Sequence, residues 1–196
     1  MTVKILAFDG SGRKGSVNHK LLTAGIAALK AEGASVTEVN LHEFDLPIYD
    51  GDLEAQQGLP ENVLKLKELF NTHDGFLIAS PEYNASIPPL VKNTIDWVSR
   101  IRNDGGRPFS PYRGKVAALC SSSEGNFGGM RCLYHLRAVL MNCQVEIITP
   151  QCSVSRAHEA FDENGDFREE RLHKMMQNVC RTLIERARML STRVEG

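Results

Sequence analysis

The stretch Asp9-Gly-Ser-Gly-Arg-Lys-Gly-Ser-Val-Asn18 has the residue types and spacing that bind an anion. Gly10, Gly12 and Gly15 let the backbone turn tightly and come close to a ligand. Ser11, Ser16 and Asn18 offer short hydrogen-bonding side chains. Arg13 can place two parallel charge-assisted hydrogen bonds on a phosphate. An apolar run, Val3 to Phe8, precedes the stretch, and an amphipathic pattern follows it. The loop therefore sits at a helix N-terminus, where free N–H groups and the helix dipole favour negative charge.

Whose phosphate this is depends on what accompanies the loop. Gly10, Gly12 and Gly15 formally match a dinucleotide-binding G-x-G-x-x-G, but that reading wants an acid closing the second strand. Here that strand ends in Asn40-Leu41-His42, with Glu38 only in mid-strand, and no tyrosine has a lysine four residues on, as a short-chain dehydrogenase would need. No Gly-Lys-Ser or Gly-Lys-Thr follows, so a triphosphatase loop is excluded as well. A monophosphate held by hydroxyls, an arginine and a helix terminus matches FMN better. Taken alone, Ser16 reads as a helix cap, the commonest role for a serine there; with Arg13 and Asn18 so near, it reads as a phosphate contact.

Strands alternating with helices position this loop. The apolar spacing from Ser16 to about Lys30 predicts a helix that Gly33 stops, and Ser35 to Leu41 alternates as a half-exposed strand. Residues 42–60 carry Pro47, Gly51, Gly58 and Pro60 and read as an irregular excursion. Glu61–Asn71 is helical, and Gly75–Ser80 and Lys115–Cys120 are short continuous apolar runs of the kind buried on both faces. A helix opened by Pro88 and Pro89 runs to Arg102, with Asp96 and Arg100 spaced as a weak surface pair. Another begins at Met130, Gln144–Thr149 is a fifth strand, and Asp166 with Glu169 forms a capping box for the last helix. The pattern is α/β: a doubly wound, five-stranded parallel sheet with helices on both faces, in one domain spanning residues 1–196. Ligands of such sheets bind beyond the carboxyl ends of the strands, where the loops after strands one, three and four should meet.

Composition narrows the function classes. The 196 residues have a net charge of −1 and no long basic run, which leaves nucleic acid without an electrostatic footprint. No stretch reaches membrane-spanning length, and the chain enters a strand directly after Met1-Thr2, so a cytoplasmic protein without membrane contact is expected. The 5 cysteines include no C-x-x-C pair, and neither a disulfide framework nor a metal centre is expected.

Beyond the first loop, Pro81-Glu-Tyr-Asn84, Ile87-Pro88, Lys92-Asn-Thr-Ile-Asp-Trp97, Gly128-Gly-Met-Arg131 and His135-Leu-Arg137 complete a set. Together with Gly10–Asn18 it resembles the NADPH-dependent FMN reductase family, which includes bacterial chromate, quinone and azo-compound reductases. The resemblance implies a three-layer flavodoxin-like fold with strand order 2-1-3-4-5, bound FMN, NADPH or NADH as hydride donor, a small-molecule acceptor such as a quinone, and homodimers or homotetramers. It implies that Ser11, Arg13, Ser16, Val17 and Asn18 hold the phosphate. Pro81, Glu82, Tyr83 and Asn84 would cradle the flavin ring, and Ser122 and Ser123 would approach its other edge. Pro89 and Glu124 depart from the family pattern beside the flavin. No catalytic side chain is expected, because the cofactor carries the redox chemistry. Two rivals remain at this level: a flavodoxin-like electron carrier without nicotinamide activity, and a nicotinamide-binding dehydrogenase without flavin.

Overall fold

The computed structural model describes residues 2–102 and 111–194. Strands β1 (Lys4–Asp9), β2 (Ser35–Val39), β3 (Gly75–Ala79), β4 (Val116–Ser122) and β5 (Glu146–Ile147) form a parallel sheet in the order β2-β1-β3-β4-β5. This is the flavodoxin-like order. β3 and β4 are buried at every residue, as continuous apolar runs require when both faces are covered.

Helices α1 (Val17–Ala31) and α7 (Glu170–Val194) cover one face. There Leu21, Leu22 and Leu29 pack with Leu77, Val116, Met176 and Leu183. On the other face, α3 (Glu61–Asn71), α4 (Pro89–Ser99) and α5 (Met130–Asn142) enclose Phe70, Phe76, Val91, Trp97, Leu133 and Leu136. Burying a large apolar side chain contributes about 1.5–3 kcal/mol, so these two layers supply the main force holding the site in place.

Several local expectations change. The excursion after β2 is ordered: a 3-10 turn (Leu41–Phe44) and a helix, α2 (Gly51–Gln57), whose cap Asp50 accepts from the N–H groups of Asp52 and Leu53. It is fastened to α4 by Trp97, whose indole N–H donates to the Pro47 carbonyl at 2.7 Å, and by Asn93, which accepts from the Tyr49 N–H at 2.8 Å. Arg100 pairs with Glu54 at 2.7 Å and Lys92 with Asp96, so the expected Asp96–Arg100 pair does not form. Helix α4 ends at Ser99, and most of the loop after it lies outside the described residues.

The fifth strand is shorter than expected. Beyond Pro150 the chain re-enters the sheet as β6 (Cys152–Val154), pairing with the last residues of β4. A short helix, α6 (Ala157–Ala160), follows. Asp166 does not cap α7. Asp162 Oδ1 instead accepts from the N–H groups of Asn164 and Asp166, while Phe161 and Phe167 stack across an antiparallel bridge, so the local turn wins and the helix starts after Glu169.

Candidate functional site at the carboxyl ends of the strands

The three marked loops do converge. The first leaves β1 through Gly10, whose N–H still donates to Ala79 O at 2.9 Å on β3. Asp9 shapes the turn: its Oδ1 accepts from the Ser11 N–H at 2.8 Å, while Oδ2 lies 3.2 Å from His19 Nδ1. Ser11 Oγ accepts from the Arg13 N–H, and buried Ser16 caps α1 by accepting from the Asn18 N–H at 3.1 Å. Among the described residues, the N–H groups of Gly12, Lys14, Gly15 and Val17 have no protein acceptor. With Gly15 at φ +68° and open space where a Cβ would stand, these donors form a nest of the kind that binds phosphate. The Arg13 side chain is exposed and makes no ion pair among the described residues.

After β3, Pro81–Asn84 turns on a two-residue hairpin. Tyr83 and Ser86 exchange both backbone hydrogen bonds at 3.0 Å, with Asn84 at φ 50° and Ala85 at φ 64°. Both central residues are left-handed, the geometry of a type I′ turn. Tyr83 stands 44% exposed at its tip. The Glu82 carboxylate points inward instead, and only 8% of its side chain is accessible. Oε1 takes Arg131 Nε at 2.7 Å and Arg131 Nη2, and Oε2 accepts from the backbone N–H groups of Arg131 at 3.1 Å and Cys132 at 3.2 Å. Glu82 thus caps α5, which has no side-chain cap of its own. Desolvation pushes its pKa up, but the bonds from Arg131 and from the Cys132 N–H outweigh it and hold the carboxyl below its ordinary value.

The third loop leaves β4 at Ser122. Asn18 reaches across from α1 and bonds this residue twice: Nδ2 donates to Ser122 O and Oδ1 accepts from Ser122 N–H, both at 2.9 Å. The hydroxyls of Ser121 and Ser122 are buried without a partner. The two residues are consecutive in β4, so their side chains face opposite sides of the sheet, Ser121 Oγ lying against Gly129. Behind the loop, Ser123 N–H donates to Val154 O, Arg156 N–H to Gly125 O and Ser153 Oγ to Gly128 O. Glu124 accepts from the His158 N–H and lies 2.8 Å from its Nδ1. That side-chain bond is the main reason the Glu124 carboxyl sits below its ordinary value, with burial opposing and the Arg13 charge helping. Gly129 has φ +76°, and a Cβ there would lie 1.8 Å from Ser121 Oγ.

Every expected site residue therefore lies in this cluster, but two side chains have duties that spacing did not reveal. Asn18 is committed to Ser122, and Glu82 to α5. Sequence reasoning also missed Asp9, although an aspartate directly before Gly-Ser is a recognisable turn-forming signal. Glu38, the only candidate for a ribose-binding acid, lies 3.8 Å from His19.

Fold and site define a flavodoxin-like mononucleotide-binding protein. The sequence model of the NADPH-dependent FMN reductase family matches residues 3–159, and the chain belongs to that family. It is 34% identical to an NAD(P)H-dependent FMN reductase of Pseudomonas aeruginosa, over 92% of this chain and 93% of that one. It is 37% identical to a quinone reductase of Escherichia coli over 71% of this chain and 70% of that one. A solved structure of the flavoenzyme NAD(P)H:(acceptor) oxidoreductase FerB from Paracoccus denitrificans superposes with a TM-score of 0.80 at 29% identity, covering 96% of this chain and 98% of that one. The chain is an oxidoreductase of the NAD(P)H- and FMN-dependent type.

Proposed function

We propose that the chain passes hydride equivalents from NADPH or NADH, through FMN held at the strand ends, to quinones or similar small acceptors. The observation that carries this is the meeting, at the carboxyl end of the sheet, of an open backbone nest, the hairpin turn after β3 and the Ser122 end of β4. Those residues fit the cofactor. Ser11, Arg13, Ser16 and Val17 would surround the phosphate, Pro81 to Asn84 would present backbone groups to the ring, and Ser122 and Ser123 would stand at its other side. When bound, FMN accepts hydride from a nicotinamide and returns the electrons to an acceptor. The protein's part is to hold the nest open, fix the hairpin through Glu82, and keep water from the ring. Donors aimed at one place without reorganisation are the usual source of such an enzyme's advantage.

Relatives named quinone reductases support quinones as acceptors. The same reading includes action in the cytoplasm as a homodimer or homotetramer, and exposed Tyr83, Phe127, Tyr134 and Met141 provide apolar surface that assembly would cover. Among the described residues no helix is long and apolar enough to cross a membrane. Steady-state rates for a panel of quinones, azo dyes, chromate and free FMN, each with NADH and NADPH, test the proposal. Quinone turnover dependent on added nicotinamide is expected; turnover with none of the acceptors would refute it. Light scattering tests the assembly, and a monomer would refute that part alone.

A further inference from the structure

Asn18 lies at the first turn of α1, beside the open N–H groups, where a phosphate contact was expected of it. Its side chain does something else. Ser80 N–H donates to Cys120 O, so β4 faces β3 at Cys120, and by the alternation of a parallel ladder it faces that side again at Ser122. By then β3 has ended and turned away at Pro81. The N–H and C=O of Ser122 would be left without a strand partner at a residue only 1% exposed. Asn18 supplies the missing partner, giving and receiving one hydrogen bond at 2.9 Å each as a strand residue would. At 2% exposure, and with its own N–H turned to Ser16 Oγ, it has little room to meet a ligand atom.

We infer that Asn18 is a positioning residue for the flavin ring rather than a phosphate ligand: it ties the nest-bearing end of α1 to the end of β4 and sets where Ser122 and Ser123 stand. This rests on the FMN site proposed above. The side chain completes a strand pairing, so its loss would displace the ring-side loop while the nest remains built by Asp9, Ser11 and Ser16.

Two ligands differing only in the phosphate separate the roles. Flavin-fluorescence titrations would measure the Kd of FMN and of riboflavin for the wild type, Asn18→Asp, Asn18→Ser and Arg13→Ala. Asn18→Ser removes both bonds without burying a charge, whereas Asn18→Asp keeps the acceptor for Ser122 N–H but sets a carboxylate oxygen against Ser122 O. Asn18→Ser should weaken both flavins by the same factor, about tenfold or more for the lost buried bonds, whereas Asn18→Asp should weaken FMN further than riboflavin because its new carboxylate stands beside the phosphate position. Both variants should also shift the visible spectrum of bound FMN, which reports on the ring. Arg13→Ala should weaken FMN alone. In Asn18→Ser, weakening of FMN with riboflavin unaffected, or no change in either flavin, would overturn the assignment. Hydrogen exchange at the Ser122 amide of flavin-free protein gives an independent reading. Protection in the wild type that is lost in Asn18→Ser supports the pairing, and equal exchange in both contradicts it. Failure of the wild type to bind either flavin would instead sink the FMN site and leave the exchange result standing.

Discussion

Replacing Glu82 with glutamine should destabilise the protein far more than its position on a surface turn suggests. The carboxylate takes four donors: Arg131 Nε and Nη2, and the backbone N–H groups of Arg131 and Cys132. Glutamine keeps one acceptor oxygen and turns an NH2 toward the other donors, losing at least two of these bonds and the charge that complements the start of α5. Hydrogen bonds to a charged group contribute about 1.5–3 kcal/mol each and a charge at a helix N-terminus about 0.3–1 kcal/mol. Arg131 is half exposed, so its share is discounted for solvent screening. A net loss of about 2–4 kcal/mol is expected, somewhat below the cost of breaking a fully buried pair. Urea unfolding at pH 7, with an unchanged slope, measures it. The sign with pH is also fixed. The folded-state pKa of Glu82 is depressed, so its contribution is complete above the unfolded glutamate value of about 4.3 and is lost as pH falls through the lower folded value. Wild type and Glu82→Gln should converge in stability as pH is lowered through that window. A difference under about 0.5 kcal/mol at pH 7, the range of an ordinary surface substitution, would refute the capping role.

Three further outcomes follow from local geometry. Gly129→Ala places a Cβ against Ser121 Oγ at a left-handed position, and should cost about 2–5 kcal/mol in the same unfolding assay, the sum of overpacking and backbone strain. Ala85→Gly relieves a left-handed alanine in the hairpin and should raise stability by about 0.5–1 kcal/mol, the strain relieved less the entropy glycine adds to the unfolded chain. Burial pushes the thiols of Cys132 and Cys143 up to about 11 and those of Cys152 and Cys180 to about 12, with Cys120 also raised well above its ordinary value. A disulfide reagent at pH 8 should therefore label none of the 5 cysteines quickly in native protein and all of them after denaturation.

The sheet was legible because strands covered on both faces read as unbroken apolar runs: Gly75–Ala79 and Val116–Ser122 carry no polar alternation until the site begins. The anion loop was legible because its glycines, serines and arginine lie side by side in the chain. What escaped depends on partners distant in sequence. Nothing near Glu82 announces that it caps a helix beginning at Met130, and Asn18 shows no local sign of completing a strand 104 positions away. β6 escaped because three residues after a proline are too few to display a period, and α2 because Gly51, Gly58 and Pro60 mask a short helix held by Asp50 and by contacts to α4. α7 starts later than its capping-box signal because Asp162 draws the Asp166 N–H into a turn and the Arg168 N–H goes to Ala160 O. Periodicity reports burial, and local motifs report turns; neither reports a long-range hydrogen bond.

The most direct test of the central claim is anaerobic titration of the FMN-loaded protein with NADPH and with NADH, followed by visible absorbance. An FMN-dependent oxidoreductase should bind one flavin per chain, bleach near 450 nm on adding either nucleotide or both, and recover its colour when a quinone is added. Protein that gains no flavin absorbance with FMN, or whose bound flavin stays yellow with both nucleotides, would contradict the account.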